Sequence, residues 1–366
     1  MQSINLVYHL TVPAAISVYI LDSFLDDLRN DQTFNEMKQL SSLSFVFSSL
    51  PLSKKSLLGW GIIHLSLGIA LWVKGQWTNN GLALTGFAYL VIFDAMGVFT
   101  TFISSVLKTY ESLRLSSIRN PFGIQRFEVL FGFVNTLYLL FVALYMLKEG
   151  LEHFVLESNC EHSNIHSHKI PILWVLLAMC ATLISAIGCQ NHKGFYALSR
   201  PISFNEGSHT YYLQSNYRLS IIYTNFITMA LLLCGTGVIT VGLLLEKSRK
   251  FDWLDELMSI LESILMFYIA VPVASALGKI LLQTTPSAAS KSLDDCLREI
   301  LLHPTILSLN ATHFWQNSYG QLVGTLHVHV NPDVNEQAVL AFVYSRLSPL
   351  FLNSNGNGEL TVQIVK

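Results

Sequence analysis

Charge is scarce in this chain: of its 366 residues 13% are charged, about half of the roughly 25% usual for soluble domains. With 51% of residues hydrophobic, that shortage excludes an ordinary soluble globular protein. No excess of positive charge exists either. The net charge is -2, with 22 Lys and Arg scattered along the chain, so no basic face can neutralise a run of phosphates and nucleic acid is excluded as a partner. Cysteine is equally thin. The five are Cys160, Cys180, Cys189, Cys234 and Cys296, an odd number without a CxxC pair, which argues against a disulfide framework and a structural zinc knuckle. A phosphate-binding loop, an activated nucleophile and a paired set of catalytic carboxylates are all missing, so an enzyme is not expected.

What the chain has is long uncharged runs. Six stretches can each cross roughly 30 Å of hydrocarbon: approximately 57–74, 81–107, 127–147, 170–190, 219–245 and 255–283, the last with Pro272 as an expected kink. An even number returns both termini to one side. The segments on the N-terminal side carry Lys54, Lys55, Lys108, Arg114, Arg119, Arg126, Lys193, Arg200, Arg218 and Lys279. The opposite segments carry fewer cations, namely Lys74, Lys148, Lys169, Lys247, Arg249 and Lys250. That bias predicts cytosolic termini. Residues 1–55 form a separate N-terminal segment: the apolar stretch Ile4 to Leu21 lacks a basic leader and runs into Asp22, Asp26 and Asp27, which suits an interfacial segment better than a signal peptide.

After Pro286 the composition becomes that of a small soluble domain, 286–366. A helix is expected from Ser292, taken as its N-cap, to Leu302. Strands are expected at Ile306 to Trp315 and Leu322 to Val330, the second alternating with period two. A helix from Asn335 to Leu347 and a strand from Leu360 to Val365 complete an α+β layer in the order αββαβ, which is ferredoxin-like.

Within the apolar spans a few polar residues stand out. Asp94 is the only charged residue between Gly81 and Leu107, and an acid at a helix centre costs roughly 2.5 to 3.5 kcal/mol to insert. One helical turn before it stands Leu90. His64 in the first span and Glu262 in the sixth complete the list of intramembrane candidates for a rearranged cation site with Asp94. A surviving proton relay and a structural carboxyl are the other readings of Asp94. His162, His166 and His168, between the third and fourth spans, form the densest imidazole cluster. They suit weak capture of released metal, a pH response near the ordinary His range, or a plain solvated loop. His327 and His329 share one face of a strand.

Several stretches resemble the cation diffusion facilitator family of zinc transporters. Asn120-Pro-Phe-Gly123-Ile-Gln-Arg126-Phe-Glu128-Val-Leu is similar to the motif that opens that family's third span, through Gly123, Arg126 and Glu128. Leu281-Leu-Gln-Thr-Thr-Pro286 resembles the motif that follows its sixth span, and the strands around His313-Phe-Trp315 and His327-Val-His329-Val resemble its cytosolic domain. The resemblance implies a six-helix membrane protein with a small cytosolic α+β dimerisation domain, exporting zinc from the cytosol in exchange for protons. It also implies a four-ligand site, built from two pairs spaced i, i+4 on the second and fifth spans. That spacing puts both members of a pair on one helix face.

Here the second-span positions hold Leu90 and Asp94. The fifth-span positions fall at Asn216 and Ser220, or one or two residues earlier, and no Asp, Glu or His occurs from Leu219 to Leu245. A desolvated divalent ion with a single carboxylate is unfavourable, so no metal is expected in the usual site and no cofactor is assigned to this chain. The pattern is most similar to the zinc transporter six-like branch of the family. That likeness implies a non-transporting subunit that pairs with a metal-competent partner in the endoplasmic reticulum or Golgi membrane, zinc being the ion the complex moves.

Overall fold

A computed structural model describes residues 50–77, 81–109, 126–157, 171–189, 191, 225–247, 253–318, 321–352 and 358–366. Among the described residues, six helices are long and apolar enough to cross a membrane: α1 (Leu52–Trp77), α2 (Leu82–Thr109), α3 (Arg126–Glu157), α4 (Ile172–Ile184) continued by a π-helical turn (Ser185–Cys189), α5 (Phe226–Lys247) and α6 (Trp253–Leu281). Large apolar side chains such as Ile62, Phe141, Leu173, Leu233, Tyr268 and Val271 are exposed on these helices. Leu90, Phe93, Leu139, Met146, Leu231 and Met266 are buried between them. This distribution, apolar outside as well as inside, is that of an integral membrane bundle in which helix packing rather than hydropathy decides which residues face one another.

The helix ends are fixed by polar contacts. Gly81 adopts φ +96°, a left-handed conformation that a side chain disfavours. From there the chain turns so that the first amides of α2, Leu82 and Ala83, donate to Asp255 at 2.5 and 3.4 Å. An N-cap is thus supplied by another helix, and its negative charge complements the α2 dipole. A Cβ on Gly81 would run into that carboxylate. Toward the other end of α2, Lys54 Nζ donates to the Ser105 carbonyl at 2.7 Å, a cation near a helix C-terminus. α6 runs through Pro272 as one helix. It closes with Gln283 at φ 58° and the amide of Thr284 bonded to the Lys279 carbonyl at 3.0 Å. This six-to-one bond is a Schellman stop, and it gives the Leu-Gln-x-x-Pro stretch a local physical reason.

The C-terminal layer contains α7 (Ser287–Leu301), β1 (Ile306–Ser318), β2 (Gln321–Val330), α8 (Glu336–Leu352) and β3 (Glu359–Val365). Strand order is β1-β2-β3, with β1 antiparallel and β3 parallel to β2. A parallel neighbour requires a crossover, and α8 provides it. Leu293, Ile300, Phe314, Leu326, Val328, Val343, Leu347 and Phe351 form the core. The αββαβ order agrees with the sequence-based expectation, and two helix boundaries differ from it. α7 starts at Ser287 directly after Pro286, which places Ser292 inside the helix instead of at its cap: Ala289 is buried in the core and extends the packed face. α8 continues past Leu347 through Pro349 to Leu352, because Leu350 and Phe351 are buried in the same core.

Candidate functional site

Asp94 lies on α2 and is completely buried, as is His64 on α1. Their side chains approach to 3.8 Å between His64 Nε2 and Asp94 Oδ2, ion-pair range but longer than a hydrogen bond. The π-helical turn after α4 brings the remaining members. Asn191 Nδ2 donates to Asp94 Oδ1 at 2.6 Å, and Ser185 Oγ lies 3.0 Å from His64 Nδ1. Trp60, one turn before His64 on the same face of α1, donates its indole N–H to Ser185 Oγ at 2.9 Å. An indole nitrogen can only donate, so Ser185 accepts from Trp60, and its hydroxyl also pairs with His64 Nδ1.

The result is a chain of side chains, Trp60, Ser185, His64, Asp94 and Asn191, that ties α1 and α2 to the end of the fourth span. Asn135 of α3 adds a bond from Nδ2 to the Phe93 carbonyl at 3.3 Å, next to Asp94. Wider turns of the π type often accompany functional positions. Here the turn swings Ser185 and Asn191 to the same side of the bundle, and the Asn191 amide bonds back to the Ser185 carbonyl at 3.5 Å.

Leu90 is buried one turn from Asp94. The fifth-span positions expected from the sequence, 214–220, lie outside the described residues, and the buried residues of α5 include Ile227, Thr228, Leu231, Cys234 and Val238. Among the described residues no three His, Cys, Asp or Glu side chains converge in a metal-holding group.

His64 and Asp94 are brought together as a rearranged site would need, whereas Glu262 is elsewhere. It packs against Gly86 of α2, two turns or about 12 Å along the helix from Asp94. Arg126 and Glu128 occupy the first turn of α3, where the acid suits the helix dipole. Gly123, Asn216, Ser220, His162, His166 and His168 lie outside the described residues. Asn191 and Ser185 were not singled out from the sequence, since a neutral polar residue at the end of an apolar run carries no signal of what it will meet.

Among the described residues, six helices long and apolar enough to cross a membrane, with a buried acid in the second, and an αββαβ layer after them define an integral membrane protein. Residues 62–282 match the cation efflux transmembrane domain, and the chain belongs to that family. It is similar to zinc transporter 6 of Xenopus tropicalis, 30% identical over 303 residues that make up 79% of this chain and 60% of the relative. It is likewise similar to zinc transporter 6 of Homo sapiens, 29% identical over 323 residues, 84% of this chain and 64% of the relative. The chain spans about three fifths of the length of these relatives.

Proposed function

We propose that this chain is a non-transporting subunit of a heteromeric zinc/proton antiporter that moves zinc from the cytosol into the secretory pathway. The observation that carries the reading is the occupation of Asp94. Its carboxyl is bonded to Asn191 and faces His64, while Leu90, one turn away, is a buried apolar residue. A divalent cation at this position would find one acid, already engaged by neighbouring protein groups. Zinc as the ion follows from the relatives' names.

In this reading the partner is a metal-competent cation diffusion facilitator subunit with an intact four-ligand site. The two meet through their membrane bundles and through the layer 286–366 as dimerisation domain, with termini cytosolic in the endoplasmic reticulum or Golgi membrane. A metal-silent protomer still biases its partner, because rocking of one bundle changes the packing available to the other. Zinc uptake into proteoliposomes tests the assignment: the chain alone is expected to move no zinc. Uptake by the chain alone that Asp94→Ala abolishes would sink it.

A further inference from the structure

Among the described residues Glu262 is, like Asp94, a fully enclosed acid of the bundle, with 1% of its surface exposed, and neither of its carboxyl oxygens has a hydrogen-bond partner there. It sits on α6 where two other helices meet it: Gly86 of α2 lies directly under Oε2, with the Met146 methyl of α3 beside the same spot.

The neighbouring titratable groups have partners of their own. Asp255, two turns earlier on α6, is of like sign and is engaged with the amides of Leu82 and Ala83. Tyr89 of α2 and Tyr145 of α3, one turn or less from Gly86 and Met146, pack edge to face on each other, and Tyr89 accepts from the Trp72 indole. The nearest cation along α3, Lys148, is exposed and bound to Glu149 and Glu152. An ionised carboxylate enclosed without a counter-ion is among the least favourable groups a bundle can hold.

We propose that Glu262 is a proton-binding site of this protein, separate from the Asp94 cluster, and that the packed conformation holds it as the neutral acid. The ligand is a single proton exchanged with water. Gly86 is the matching half of the site: any Cβ there would overlap Oε2, so the carboxyl fits only because α2 offers bare backbone at this turn. Release of the proton leaves a charge that must reach water, which requires the contact between Glu262 and Gly86 to part. Proton binding therefore favours the closed packing of α2 on α6, and this holds whether or not the chain belongs to a zinc-moving complex.

Infrared difference spectroscopy of the full-length protein in lipid nanodiscs, over pH steps and after exchange into heavy water, tests this directly. At neutral pH a carboxylic-acid C=O stretch is expected in the wild type. It should persist in Asp94→Asn, disappear in Glu262→Gln and move in frequency in Glu262→Asp, which keeps the acid should the glutamine variant misfold. No such band at neutral pH, its survival in Glu262→Gln, an unmoved band in Glu262→Asp, or its loss in Asp94→Asn would each overturn the proposal.

Discussion

Removing the amide of Asn191 isolates the contact on which the Asp94 cluster depends. The donor and acceptor are 2.6 Å apart and almost wholly enclosed, at 2% and 0% exposure, so neither is compensated by water when the other is removed. Hydrogen bonds to charged groups contribute about 1.5 to 3 kcal/mol in soluble proteins. Interhelical bonds in membrane proteins average about 0.6 kcal/mol and reach about 1.7, because the membrane-embedded unfolded state finds other partners. The short distance and full enclosure put this bond at the upper end, and a coupling of about 1.5 kcal/mol is expected. A double-mutant cycle with Asn191→Ala and Asp94→Ala, read by unfolding in mixed micelles, measures it without counting the cost of each truncation alone. If the two substitutions prove additive to within about 0.3 kcal/mol, the carboxyl is not held by Asn191 and the argument from an occupied site fails.

Two further outcomes follow from the fold. Asp255→Ala removes the cap that α6 lends to α2 and should cost about 1 to 2 kcal/mol of unfolding free energy, measured in the same micelles; no loss would mean that the amides of Leu82 and Ala83 find other acceptors. Cys296 on α7 is partly enclosed, with Glu299 and Asp295 near it and Arg346 acting the opposite way, and the balance, led by burial, pushes its thiol above the ordinary range. The thiolate is the reactive form, so alkylation of Cys296, followed by peptide mass spectrometry, should rise at a higher pH than for a free cysteine. A rate already at its plateau near the ordinary thiol range would contradict this environment.

Much of the architecture is visible in the residues themselves. Uncharged length marks the six spans, and period-two alternation in Leu322 to Val330 marks a strand, because both are properties of a segment taken alone. Boundaries set by packing are not of that kind. Ala289 draws α7 back to Ser287, and Leu350 and Phe351 carry α8 through Pro349, since burial in a shared core outweighs the local preference of Ser292 or a proline. The same division holds in the bundle. Asp94, His64 and Glu262 are conspicuous because each is polar in an apolar run, yet nothing in hydropathy tells which way a helix faces. His64 turns toward Asp94 and Glu262 toward Gly86. Asn191 and Ser185 become partners only through the π-helical turn after α4, which a sequence of small and polar residues does not announce.

Zinc titration calorimetry on the purified full-length chain, compared across wild type, His64→Ala and Asp94→Ala, bears most directly on the central claim. Protein groups, not a metal ion, are taken to occupy the Asp94 site, so the three proteins are predicted to bind zinc with the same stoichiometry and affinity. A stoichiometric binding event present in the wild type and lost in either variant would contradict it.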